Sequence, residues 1–198
     1  MATRQQVVAA DGRARCPWAL SSTEYIGYHD NEWGRALHGD VALFERITLE
    51  AFQSGLSWIT ILRKREAFRR AFDGFNPVVV AGYSDMDVDR LLADAAIVRN
   101  RRKIEATIRN AQAVLDLWGA EGDGALDRLV WEHAQDAARP RPEAMADIPA
   151  STPASSALSQ RLKSFGFVFV GPTTMYALMQ ACGVVDDHLR SCWVPSHQ

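Results

Sequence analysis

His188 and Cys192 stand four residues apart near the end of the 198-residue sequence. One helical turn at that spacing puts an imidazole and a thiolate on the same face, which is half of a tetrahedral metal site. Alone, the pair reads more readily as a reduced cysteine beside a surface histidine than as metal ligands. A second pair is needed, and Cys16 and His29 are the candidates, the latter inside the aromatic-rich stretch YIGYHDNEWG at residues 25–34. A zinc ion held by Cys16, His29, His188 and Cys192 would have four protein ligands and no open position, so it would be structural, clipping the N-terminal segment to the C-terminal one. The three cysteines are otherwise too few and too scattered for a disulfide framework.

A second constellation is GFVFVGPTT at residues 166–174, where glycine ends one helical pattern and Gly-Pro opens the next. Unpaired amides in such a turn, with the helix N-terminus behind them, can dock a phosphate oxygen. Gly166, Phe167, Gly171 and Thr173 are the positions expected to meet a nucleic-acid backbone. The pattern L-x-x-x-G-F-x-F-V-G-P-T-T-x-x-x-A resembles the helix-hairpin-helix of DNA repair enzymes. Two basic clusters point the same way: Arg63, Lys64, Arg65, Arg69 and Arg70, and Arg99, Arg101, Arg102 and Lys103. Such clusters neutralise phosphates, although a charge run is more often a solvated helix face.

These residues need a scaffold, and the pattern is helical nearly throughout from residue 40. Asp40 is placed to cap a helix bearing Val41, Phe44, Ile47 and Ala51, with Gly55 past its end, and Ser57 to cap SWITILRKREAFRRAF. Asn76-Pro77 predicts a short helix over VVVAG, and Ser84 to Asp87 a capping box. A long helix with Ile104, Ile108, Ala111, Leu115 and Trp118 on one stripe is expected to stop at Gly119. GALDRLVWEHAQ gives another short helix, the Pro- and Ala-rich residues 138–155 a connecting loop, and FVFV the nearest approach to a strand. The expectation is an all-α protein with one domain over residues 13–195, two helical lobes around a cleft, and tails at 1–12 and 196–198. Composition agrees with a soluble globular chain, at 47% apolar and 23% charged residues, and a net charge of -2 gives no global argument for a polyanion partner. No secretory signal and no membrane-spanning apolar run is visible, so a cytoplasmic monomer is expected.

Several motifs in one order are far more specific than any one of them. RCPW (15–18), YIGYHDNEWG (25–34), LFERITLEAFQSGLSWITIL (43–62), DAAIVRNRRKI (94–104), GFVFVG (166–171) and MQACGVVDDH (179–188) closely resemble the bacterial 3-methyladenine DNA glycosylase I family. The resemblance implies a helix-hairpin-helix glycosylase that excises 3-methyladenine from alkylated double-stranded DNA, releasing the free base and leaving an abasic site. It also implies one structural zinc on Cys16, His29, His188 and Cys192, with Cys182 a buried thiol. The family's base pocket carries over to Glu50, Tyr28 and Trp58, with Tyr25 and Trp18 nearby, Glu50 being the residue expected to act in catalysis.

The chemistry suits these residue types. An N3-alkylated adenine nucleoside is cationic, so its glycosidic bond is already weakened, and aromatic faces can sandwich the flipped base while a carboxylate accepts hydrogen bonds from its edge. Periodicity alone says less: Glu50 falls at the edge of the apolar stripe between Leu43 and Arg46, and Tyr28 and Trp58 read as core aromatics. In the loop QSGLSW, Gly55 and Leu56 are expected to face DNA, the leucine as a wedge in the gap left by the extruded nucleotide. Asp186 and Asp187 follow the hairpin and read as capping acids or as support for the metal ligands. The alternatives are a non-catalytic, zinc-containing DNA-binding module that senses alkylation and a hydrolase with a catalytic zinc.

Overall fold

A computed structural model describes residue 9 and residues 11–196. Of the tail expected over residues 1–12, residues 1–8 and 10 lie outside the described residues, as do residues 197 and 198. Among the described residues there is no strand, and the chain is built from ten α-helices and three short 3-10 turns. The FVFV link is a turn.

The helices follow their local signals closely. After the 3-10 turn Pro17–Ser21 come α1 (Thr23–Asn31), α2 (Asp40–Gln53), α3 (Trp58–Ala71), α4 (Pro77–Ala81), α5 (Asp85–Ala93) and α6 (Arg101–Glu121). Then follow α7 (Ala125–Trp131), α8 (Ala134–Ala137), α9 (Pro153–Ser164) and α10 (Pro172–Ala181). Asn76 caps α4 by accepting from the amide of Val78 at 3.0 Å, with Pro77 at the first helical position. Asn100 does the same for α6 through the amide of Lys103 at 3.2 Å.

Three local expectations are corrected, one of them by a tertiary contact. Asp40 does not cap its own helix, whose N-cap is Gly39; its carboxylate accepts from the amides of Asp127 (2.8 Å) and Leu126 (3.4 Å) and so caps α7 from across the fold. The indole of Trp118 donates to the same carboxylate. Ser57 is the N-cap of α3, but its hydroxyl bonds Thr60 Oγ1 at 2.9 Å instead of a backbone amide. Gly119 does not stop α6, which runs on to Glu121 and ends at Gly122, the residue whose φ of 82° a side chain disfavours.

The main core fills the space between α2, α3, α4, α6, α9 and α10 with fully buried residues such as Phe44, Phe52, Phe68, Phe72, Ile104 and Leu117. α4 lies against α6, and α9 packs against α10 across the hairpin. A small separate cluster of Cys16, Leu189, Cys192 and Val194 joins the two ends of the chain. Between the two lies a third apolar group, Tyr28, Trp33 and Ala181, against which Trp18 and Trp58 pack.

Candidate active site and metal centre

That third group is one wall of a cavity of about 530 Å³. Trp18, Tyr25, Tyr28, Trp33 and Trp58 supply its aromatic surfaces, Glu50 and Gln53 come from α2, and Ala177, Gln180 and Ala181 from α10. Met145 and Ile148 close it from the Pro-rich segment between α8 and α9, which the sequence presents as a plain connection. The rings of Tyr28 and Trp58 stand 5.6 Å apart with planes tilted by 44°, and Trp18 meets Tyr25 edge-on at 5.6 Å. Tyr25 also fixes the entry of α3, because its phenol oxygen accepts from the amide of Ile59 at 2.8 Å. All five predicted pocket residues therefore line one cavity.

Glu50 is 5% exposed, and its carboxylate accepts no hydrogen bond from any described residue. Burial pushes its pKa up to about 7, while the nearby guanidinium of Arg46 pulls the other way. Arg46 is itself buried one turn earlier on α2, donates to the phenol oxygen of Tyr28 at 3.0 Å, and lies 5.9 Å from the Trp58 ring. An ionisable pair at i and i+4 on the buried face of α2 is what periodicity left open, with Glu50 at the edge of the stripe between Leu43 and Arg46. A phenol oxygen already accepting from Arg46 keeps its own proton free to donate, and burial holds that proton on by pushing the phenol pKa of Tyr28 upward.

Behind this wall the four predicted metal ligands converge. Cys16, His29, His188 and Cys192 are all buried, and their ligand atoms lie within 4.8 Å of one another. Cys192 Sγ is 3.5 Å from His29 Nε2 and 3.6 Å from His188 Nδ1, and Cys16 Sγ is 3.9 Å from His188 Nδ1. A tetrahedral ion with ordinary zinc–sulfur and zinc–nitrogen bonds sets sulfur and nitrogen about 3.6 Å apart. The other ring nitrogens are committed: His29 Nδ1 to Asp30 Oδ1 at 2.8 Å and His188 Nε2 to the carbonyl of Trp33 at 3.2 Å. This leaves one nitrogen of each ring aimed at the cluster, as outer-sphere bonds do in metal centres. Asp30 is in turn held by Arg15 and by the indole of Trp193, and Cys16 Sγ accepts from the amide of Leu189 at 3.4 Å. The cavity and the cluster share a partition, since Trp33 meets His188 edge-on at 4.7 Å and Trp18 meets His29 at 5.3 Å.

The hairpin has the expected form, with α9 and α10 joined through Gly166 (φ 91°) and a left-handed Phe169 (φ 57°). Asn110, buried on α6, clamps the turn from both sides of Val168: its carbonyl oxygen accepts from the amide at 2.8 Å and its amide nitrogen donates to the carbonyl at 3.0 Å. Thr173 is exposed and Gly171 half-buried at the start of α10. Phe167 is 2% exposed and belongs to the main core, so it anchors the turn and leaves Phe169, 41% exposed, as its outward aromatic. Gly55 (φ 82°) and Leu56, 41% exposed, form the tip of the loop between α2 and α3. Of the two basic clusters, most side chains are engaged internally: Arg63 with Glu24, Arg65 with Glu32, Arg69 with Glu45, Arg101 with Asp89, and Lys64 with the carbonyls of Ala95 and Ala96. Lys103 is buried, its ammonium donating to the carbonyls of Phe52 (2.8 Å) and Ser54 (2.6 Å). Asp187 and Asp186 cap no helix; they pair with Arg139 and Arg141, and Asp186 also accepts from the amide of the candidate ligand His188 at 3.2 Å.

The sequence model of methyladenine glycosylases matches residues 18–195. The chain belongs to the methyladenine glycosylase family. It is 47% identical over 179 residues to DNA-3-methyladenine glycosylase 1 of Escherichia coli K12, covering 90% of this chain and 95% of that one. It is 42% identical over 181 residues to the DNA-3-methyladenine glycosylase of Haemophilus influenzae, covering 90% and 96%. Its fold superposes with a TM-score of 0.86 on a crystal structure of 3-methyladenine DNA glycosylase I at 44% identity, covering 91% of this chain and all of that one. The Staphylococcus aureus 3-methyladenine DNA glycosylase I, solved to explain how it recognises 3-methyladenine, gives a TM-score of 0.85 at 35% identity, covering 93% and 98%. Family members thus share the whole helical frame that surrounds the cavity.

Proposed function

We infer that this chain is a DNA repair glycosylase that hydrolyses the N-glycosidic bond of 3-methyladenine, releasing the base and leaving an abasic site. The observation that carries the reading is Glu50: a carboxylate sunk in an aromatic cavity, with no hydrogen bond from any described residue and a pKa that straddles neutrality. A group so placed is held ready for a ligand that brings its own donors and positive charge, because a buried unpaired carboxylate otherwise costs stability without return. A flipped 3-methyladenine nucleotide brings both, with its exocyclic amine as donor and its alkylated ring as cation. Tyr28 and Trp58 present electron-rich faces to that cation, and Trp18 and Tyr25 complete the wall.

Charge does part of the work. As the bond to the sugar lengthens, the base leaves neutral and the positive charge passes to the sugar, where water attacks. Tyr28 is oriented to donate to an acceptor on the departing base, since its oxygen accepts from Arg46 and its own proton is left to give. Leu56 fills the vacated stack, and the turn carrying Gly166, Gly171 and Thr173 holds the double-stranded DNA backbone, with Gly55 giving the wedge loop its left-handed bend.

The Cys16, His29, His188 and Cys192 cluster takes one structural zinc, supported by its donor set, its spacing and the committed second nitrogen of each histidine. Zinc there would cross-link the two ends of the chain and leave bond cleavage to the cavity. Among the described residues no helix is long and apolar enough to cross a membrane, and the reading is of a cytoplasmic monomer, residues 13–195 forming one unit. The deciding experiment is chromatography of bases released from alkylated duplex DNA. Free 3-methyladenine should appear with the wild type and be lost with Glu50→Ala; no release by the wild type would sink the reading.

A further inference from the structure

Gln180 is the one other amide-bearing side chain, beside Gln53, that reaches the cavity, and its orientation is fixed by chemistry on its far side. Asp187 is completely buried and bound by Arg139, whose guanidinium donates to Oδ1 at 2.6 and 3.1 Å. The phenol of Tyr176 donates to Oδ2, and the Gln180 side chain reaches that same oxygen at 2.8 Å. A carboxylate paired with a guanidinium offers only lone pairs, so the Gln180 atom facing it must be the amide nitrogen. The carbonyl oxygen is thereby turned the other way. It accepts no hydrogen bond from any described residue, and Gln180 lines the cavity.

We propose that Gln180, locked by Asp187, is a specificity residue whose carbonyl oxygen is the second hydrogen-bond acceptor for the bound base, sharing its exocyclic amine with Glu50. The inference rests on the reading of this cavity as the 3-methyladenine site. That base carries N–H donors nowhere but on its amine, which has two hydrogens to give and would meet two fixed acceptors here. A base with a carbonyl at the same position would set its oxygen against the fixed oxygen of Gln180, which, unlike a carboxyl group, has no proton to give. Discrimination built from an acceptor that cannot rotate is stronger than from a free glutamine, whose amide would flip to donate instead. Asp187 is in this sense a positioning residue, and its place beside His188 gives the buried carboxylate a task apart from the metal cluster.

The test is isothermal titration of wild type and Gln180→Met with free 3-methyladenine and with 3-methylhypoxanthine, which replaces the amine by a carbonyl. Methionine keeps the length of the side chain without its acceptor. The expected result is that the preference for 3-methyladenine narrows about tenfold in Gln180→Met, the worth of one hydrogen bond to an uncharged acceptor. Because the readout is a ratio within each protein, a smaller folded fraction cancels, and Gln180→Ala serves if the methionine variant is not soluble. An unchanged ratio, or equal weakening of both ligands, overturns the role of Gln180 while leaving the cavity's assignment intact. Failure of the wild type to bind 3-methyladenine overturns both.

Discussion

The cavity and the Cys/His cluster lie back to back across Trp18 and Trp33, yet their polar groups are treated in opposite ways. Around the cluster the supporting groups are partnered: Asp30 accepts from Arg15, Trp193 and His29, and the carbonyl of Trp33 bonds His188. Around the cavity Glu50 accepts nothing from the described residues and the indole nitrogen of Trp58 is buried without a partner. Saturated networks fix geometry, and open ones wait for a ligand. The lesson is that burial does not separate these two regions, since both are buried; what differs is that Glu50 and the Trp58 indole lack the partners that Asp30 and the two imidazoles have.

The largest expected effect breaks the saturated side. Cys192→Ser removes a ligand from the cluster, and metal analysis by mass spectrometry should show the bound zinc lost. Calorimetry should then show a melting temperature lower by roughly 10 °C or more, as expected for losing about 3 to 4 kcal/mol in a chain of this size. The cavity should loosen with it, because Trp18 and Trp33 rest on the ligands, and a wild-type level of 3-methyladenine binding in the stripped protein would refute that coupling.

Next comes the open side, where substitution should have the contrary effect on stability. The pKa of Glu50, raised by burial to about 7, lies above its ordinary value of 4.5, so protonation favours the folded state. Its contribution is fully present below about pH 4.5 and is lost as pH rises through 7. Glu50→Gln should therefore be more stable than wild type at pH 8, by up to about 3 kcal/mol, with the gap closing towards pH 4.5. The same variant should lose excision by about a hundredfold, comparable to removing one charge-stabilising group from an active site. Denaturant titrations at the two pH values check the first claim; equal gaps at both would show that Glu50 is not held above its ordinary range.

The smallest of the three sharpens the contrast within the cavity itself. Arg46→Met removes the cation that opposes the effect of burial on Glu50, so the acid limb of the excision profile should move to higher pH. Activity at pH 7 should fall about tenfold per unit of that displacement and recover at higher pH. A profile merely scaled down, with its acid limb in place, would mean that Arg46 only supports Tyr28.

Much of this was legible in the residues. Helix starts at Asn76 and Ser84 carry their caps with them, whereas spacing only suggests the ligand quartet: it presumes a helical turn from His188 to Cys192, and that segment is not helical. Arg46 was not legible, because charge at a stripe edge is normally solvated and nothing local says that a helix end will cover it. Nor were Met145, Ile148 and Gln180, whose segments carry no periodic or compositional sign of a pocket.

The sequence by itself determined the all-helical frame and the hairpin, and named the residue types of the candidate metal ligands, since caps and glycine turns are local statements about backbone and chemistry. Only the tertiary structure decided which side chains stay unpaired. Asp40 caps a helix 86 residues downstream, Lys103 serves the end of α2, and Glu50 is left without a donor. Those outcomes depend on what packs opposite each group, and burial without a partner is a property of two surfaces that no single stretch of sequence contains.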